Sequence, residues 1–170
     1  RIRAEAPLVH NITNYVVMTR LAEASLNAAC GMAQLELERF GRPTYLDADG
    51  EIREANIAII GMGKMGGGEL NYHSDLDIIY IYDRQGETNG ERRISNHEYF
   101  AKMGQKIILI LTTQTREGYV YKIDTRLRPS GNAGPLVTSL DSFRSYHRDE
   151  AQIWEQIGKH TSELQSHLNL

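Results

Sequence analysis

The chain has 170 residues, 24% of them charged and 41% apolar, with a formal net charge of −3 at pH 7. That length suits one domain able to bury a sizeable core, and a sequence pI of about 6.1 argues against recruitment of nucleic acid by a global basic field. The single cysteine, Cys30, excludes an internal disulfide framework and agrees with a reducing compartment. No run of about 18 apolar residues and no basic-plus-apolar leader is present, so no membrane partner is expected and the cytoplasm is the expected location.

Taken in chain order, residues 21–40 carry Leu21, Ala24, Ala28, Met32 and Leu35 at helical spacing, with Gly41 and Pro43 as stop signals, which predicts an amphipathic helix. Cys30 lies within it and reads as a small buried apolar residue. The DADG sequence at 47–50 reads as a turn, residues 57–60 as a short buried strand and the polar stretch 84–93 as a surface loop. Ser95 or Asn96 can cap a second helix whose apolar face is Tyr99, Phe100, Met103, Ile107, Ile110 and Leu111. A strand is then expected from Gly118 to about Leu127, ended by Pro129, Gly131 and Gly134.

Residues 56–83, NIAIIGMGKMGGGELNYHSDLDIIYIYD, carry the most chemistry. An apolar strand and a glycine-rich turn lead to a second strand that opens with Asp75 and Asp77, whose side chains, two apart, share one face. Two acids beside backbone that can approach a phosphate suit a divalent metal and a nucleoside triphosphate. Gly61, Gly63 and Gly66 also spell the dinucleotide-binding G-x-G-x-x-G, with Asp83 as its distal acid, which would make the chain a Rossmann oxidoreductase. That reading needs a crossover helix of about ten or more residues, and only residues 66–72, two of them the further glycines Gly67 and Gly68, are there to form it. A third class, a non-catalytic interaction module, keeps the fold without the activity.

In YVYKIDTRLRP, alternation places Tyr119, Tyr121, Ile123, Thr125 and Leu127 on one face and Lys122, Asp124, Arg126 and Arg128 on the other. If this strand neighbours the one carrying Asp75 and Asp77, Asp124 supplies a third carboxylate, and Arg126 and Arg128 can meet phosphate oxygens. Gly66, Gly67 and Gly68 can offer backbone N–H groups to phosphates. Ser74 can contact the same oxygens or form a turn, and Lys64 can reach a phosphate or remain a surface lysine. Glu69 and Asn71 read as supports of the turn. His73, without a partner at zinc-site spacing, reads as an exposed histidine.

A glycine turn followed by D-x-D resembles the polymerase-beta-like nucleotidyltransferase superfamily. The longer strings GMGKMGGGELNYHSDLDIIY and YKIDTRLRPSGNAGPLVTS resemble a narrower family, the glutamine synthetase adenylyltransferase/deadenylylase. The resemblance runs from about residue 21 to about 156. It implies an α+β fold, a small mixed, mainly antiparallel sheet with flanking helices. It also implies two Mg2+ ions held by Asp75, Asp77 and Asp124, ATP as substrate, and AMP transfer to a tyrosine hydroxyl of glutamine synthetase in the control of nitrogen assimilation. The opposite half of such enzymes removes AMP by phosphorolysis, and Ser130 in RLRPSG resembles the adding half. The PII signal protein and glutamine are implied as regulators of a whole enzyme, and no nucleic acid is.

The ends depart from that pattern. Residues 6–18, APLVHNITNYVVM, resemble the opening of a hydroxyethylthiazole kinase, where a similar segment forms a strand. Residues 1–19 are accordingly set apart as a fusion, an artificial boundary or a chance match, 20–156 as the catalytic core and 157–170 as a truncated or foreign tail. The 142–147 segment SFRSYH and Trp154 read as a helical lid or packing element.

Overall fold

The computed structural model of the chain describes residues 6–149. A 32-residue helix, α1 (Ala6–Leu37), tightens into a 3-10 turn at Glu38–Phe40 and stops at Gly41, whose φ of +74° glycine adopts without strain. An antiparallel hairpin follows, β1 (Pro43–Leu46) and β2 (Ile52–Glu54), closed by the expected turn, in which Asp47 Oδ1 accepts from Asp49 N and Glu51 N at 3.0 and 2.9 Å. Next come β3 (Ile57–Gly61), one short turn of helix α2 (Gly63–Gly66), β4 (Leu76–Tyr82) and β5 (Glu87–Thr88). Helix α3 (Asn96–Thr112) is capped by Ser95, whose Oγ accepts from Glu98 N at 3.1 Å. The described chain ends with β6 (Ile123–Asp124), β7 (Val137–Ser139) and α4 (Leu140–Asp149).

One sheet has the order β2-β1-β5 and is antiparallel throughout; the other is built on β4. On one edge of β4, β3 runs antiparallel, with Ile59 opposite Tyr80. On the other edge β6 and β7 lie end to end, both parallel to β4, with Asp124 opposite Asp77 and Thr138 opposite Ile81. This is the α+β architecture expected. The antiparallel β3-β4 pair excludes a Rossmann unit, which needs that pair parallel around a crossover helix. Asp83, the would-be ribose acid, accepts from Asn56 N at 2.8 Å and closes the far end of the β3-β4 pair.

The two faces of β4 meet different neighbours. Leu76, Ile78, Tyr80 and Tyr82 join Ile57 and Ile59 under α1 and α3, packing with Leu26, Phe100, Met103 and Ile107. Ile79 and Ile81 face the other way, onto Met62, Ile60 and the α4 residues Leu140 and Phe143. So 142–147 is a packing helix over the second face, while Trp154 lies outside the described residues.

Several expectations need correction. Residues 6–18 belong to α1, so the strand suggested by the kinase resemblance does not form; Pro7 falls in the first turn, where its missing N–H breaks no helical bond. The expected apolar face of the first helix is also the wrong one, because Leu21, Ala24, Ala28, Met32 and Leu35 are exposed while Ala22, Leu26, Ala29, Cys30, Ala33 and Leu37 are buried. Both sets recur at helical spacing on opposite sides of the helix. The side rich in alanine and cysteine is the one turned to α3, where small side chains let helices approach. Burial pushes the Cys30 thiol up to about 12. The 84–93 stretch contains β5, seated tightly on β1: a Cβ on Gly86 would stand 2.0 Å from the Thr44 carbonyl oxygen. The strand expected over 118–127 is reduced to Ile123–Asp124, because Val120 N and Tyr121 N donate to Leu111 O before it and Arg128 N donates back to Thr125 O after it.

Candidate active site

The candidate site lies where β3 hands over to β4. Asp77 and Asp124 are direct neighbours across the parallel ladder and so point to the same face, the one opposite α1 and α3. Asp75 stands exposed just ahead of β4. Burial, then the charges of Asp124 and Asp75, push the Asp77 carboxyl above its ordinary range, with Arg126 and Lys64 pulling the other way. The three acids thus share one electrostatic environment, with two cations in reach of it.

Gly63, which the sequence marks only as part of the dinucleotide motif, shapes the site. Its φ is +52°, and a Cβ there would meet Asp77 Oδ2 at 2.9 Å. Met62 N also donates to Asp77 O at 2.7 Å, so the turn is closed directly against the acid. A positive-φ requirement at a strand-to-helix turn is the sequence signal that could have found Gly63. The amides of Gly66, Gly67 and Gly68 are donated to Met62 O, Gly63 O and Met65 O, so the glycine run coils into α2 and its following turn. Ser74 Oγ accepts from Asn71 N at 3.1 Å, the turn-forming alternative, and His73 is exposed. Lys64 is exposed on α2, near enough to Asp77 to act on its charge.

The two arginines have different settings. Arg126 Nε donates to Asp124 Oδ1 and Oδ2 at 3.0 and 2.9 Å, its NH2 donates to Oδ2, and its backbone N donates to Oδ1 at 2.8 Å. Those bonds hold the Asp124 carboxyl below the usual carboxylate range. Arg128 is turned into its own loop, donating to Thr125 O and Oγ1 at 2.8 Å and to Gly134 O at 3.3 Å. It braces residues 125–134, where Ser130 holds a left-handed φ of 58°, an uncommon conformation for serine. An open cleft of about 470 Å³ borders Asp75 and Asp124. Besides Asp75, Asp124 and Arg126 it is lined by Thr112, Lys122 and Asn132, which carried no assigned role. Thr112 and Asn132 gave no periodic signal, since they reach the cleft only through the end of α3 and the braced loop.

In kind, the donors fit a divalent cation: three carboxylates supply hard oxygens, and the charge crowding at Asp77 is of the sort a cation relieves. As placed, no group of three or more acidic, histidine or cysteine side chains among the described residues closes around one ion. Both Asp124 oxygens are instead engaged by Arg126.

A D-x-D strand flanked on one edge by an antiparallel strand ending in a glycine turn, and on the other by a strand bearing a third acid, defines a nucleotidyltransferase core. The chain belongs to the glutamate-ammonia ligase adenylyltransferase family, whose model matches residues 7–160. It is 44% identical over 139 residues to the bifunctional glutamine synthetase adenylyltransferase/adenylyl-removing enzyme of Chromobacterium violaceum, covering 82% of this chain and 15% of that protein. The proteins of the same name from Thioalkalivibrio sulfidiphilus and Acinetobacter baylyi are 45% and 43% identical, over 81% and 91% of this chain and 14% and 17% of their own lengths. The chain therefore spans about a sixth of these curated relatives or less. Among the described residues no helix is long and apolar enough to cross a membrane.

Proposed function

We propose that residues 20–156 form a nucleotidyltransferase core that moves AMP between ATP and a tyrosine hydroxyl of glutamine synthetase. The observation that carries this reading is the Asp77-Asp124 pairing, with Gly63 packed on Asp77 at its other side. In the forward direction the hydroxyl oxygen bonds to the α-phosphorus, the bond to the β-phosphate breaks, and pyrophosphate leaves with its electron pair. Asp75, Asp77 and Asp124 would hold two Mg2+ ions, which supply charge stabilisation for the attacking and leaving oxygens. Asp124 would also accept the hydroxyl proton, the phenol having a reference pKa of about 10. Gly68 leaves room on the phosphate side, since nothing stands within 4 Å of a Cβ built on it, and Gly66, Gly67 and Ser74 would shape that side through the turns they form rather than through free amides. Lys64 and Arg126 supply positive charge there, and Arg128 holds the wall. In reverse, inorganic phosphate attacks the tyrosine-bound AMP, releasing ADP and the free hydroxyl. Ser130 favours the adding direction. Glutamine synthetase is then the protein substrate, the PII protein and glutamine act on a longer enzyme, and the setting is cytoplasmic.

Incubation of the purified protein with glutamine synthetase, labelled ATP and Mg2+ is the direct test. Label on the synthetase that Asp77→Asn abolishes is the expected result. AMP release from pre-modified synthetase in phosphate would assign the other direction. No transfer either way, with nucleotide binding indifferent to Asp77→Asn, would sink the reading.

A further inference from the structure

Arg126 closes the proposed metal site on itself. Its side chain and backbone N together engage both oxygens of Asp124, the same oxygens a divalent cation would need. The guanidinium also lies in the field of Asp77 and Asp75, so it sits as the counter-ion of the whole trio. The partners differ in anchorage. The Asp124 side chain is only 17% exposed and its backbone pairs with Asp77 of β4, whereas the Arg126 side chain is 71% exposed, beyond the end of β6. The exposed guanidinium can leave for water, which replaces its bonds, so what a competing cation must replace is its hold on the Asp124 carboxylate.

We propose that Arg126 is an exchangeable latch on Asp124: a divalent cation displaces the guanidinium from the carboxylate, so metal binding and release of Arg126 are one coupled event. This rests on the reading of Asp77 and Asp124 as metal ligands. The latch takes the place of a cation among three neighbouring carboxylates, and it makes the free guanidinium available at the site only after the metal is seated. Arg126 is therefore a positioning residue as well as a source of charge.

The test measures Mn2+ binding by titration calorimetry on the 170-residue chain, with urea unfolding confirming that each variant is folded. Arg126→Lys keeps the charge and loses the forked geometry. The latch predicts Mn2+ affinity at least threefold tighter in Arg126→Lys, tighter again in Arg126→Gln, and no gain from either when Asp124→Asn is also present. Wild-type affinity in Arg126→Lys, while Asp77→Asn weakens binding, would overturn the latch and leave the metal site standing. Mn2+ binding unaffected by Asp77→Asn would overturn the metal-site reading itself, and the latch with it.

Discussion

The two faces of β4 put the same seven-residue strand to opposite uses. On one, Leu76, Ile78, Tyr80 and Tyr82 are packed under two helices; on the other, Asp77 shares a face with Ile79 and Ile81, and α4 covers only the isoleucines. The buried face gives the strand its position, and the half-covered face uses that position. A carboxylate crowded by two others adds nothing to the packing of so well-anchored a strand, which supports the proposal that this face is the functional one.

The division can be broken from either side. Asp77→Asn or Asp124→Asn is expected to lower AMP transfer by about a thousandfold or more, since charge stabilisation of this kind supplies several kcal/mol; labelled transfer measures it. Ile78→Ala, on the packed face and fully buried, should cost about 2–5 kcal/mol in urea unfolding while leaving nucleotide affinity per folded molecule unchanged. Gly63→Ala joins the two faces' concerns: the left-handed backbone costs about 1–2 kcal/mol, and the new methyl pushes on Asp77, so stability and transfer should fall together. The smallest effect has the opposite sign. A carboxyl raised in the folded state stabilises below its unfolded pKa and loses that contribution as pH climbs through the folded value. Asp77→Asn should therefore be more stable than the wild type at pH 7, by a few tenths of a kcal/mol given its partial exposure. That advantage should vanish as pH falls below the ordinary carboxylate range, which paired urea melts at two pH values check.

What was legible in the sequence was local. The IAII and LDIIYIY runs, the DADG turn and the Ser95-capped helix declare themselves within a few residues, and the structure has them where they were expected. The first helix was legible as a helix but not in orientation, because it carries two apolar stripes and only the docking of α3 chooses between them. Strands of two or three residues such as β5 and β7 exist only through their partners, so no window of sequence declares them, and β6 was expected only as part of a much longer strand. At the site, the acids could be named from spacing and resemblance. The Asp124-Arg126 fork, the inward turn of Arg128 and the contact of Gly63 with Asp77 depend on where a loop turns back, which alternation along an assumed long strand hides.

The ladder that carries Asp124 is only two residues long, whereas β3 grips β4 over five paired positions. Local opening of that short ladder exposes few groups, so it lies at the low end of the protein's opening energies. In heavy water the amides of Ile78 to Tyr82 should retain their protons long after those around Asp124 have been replaced. The segment bearing the third acid can thus breathe on its own, on a frame that stays shut.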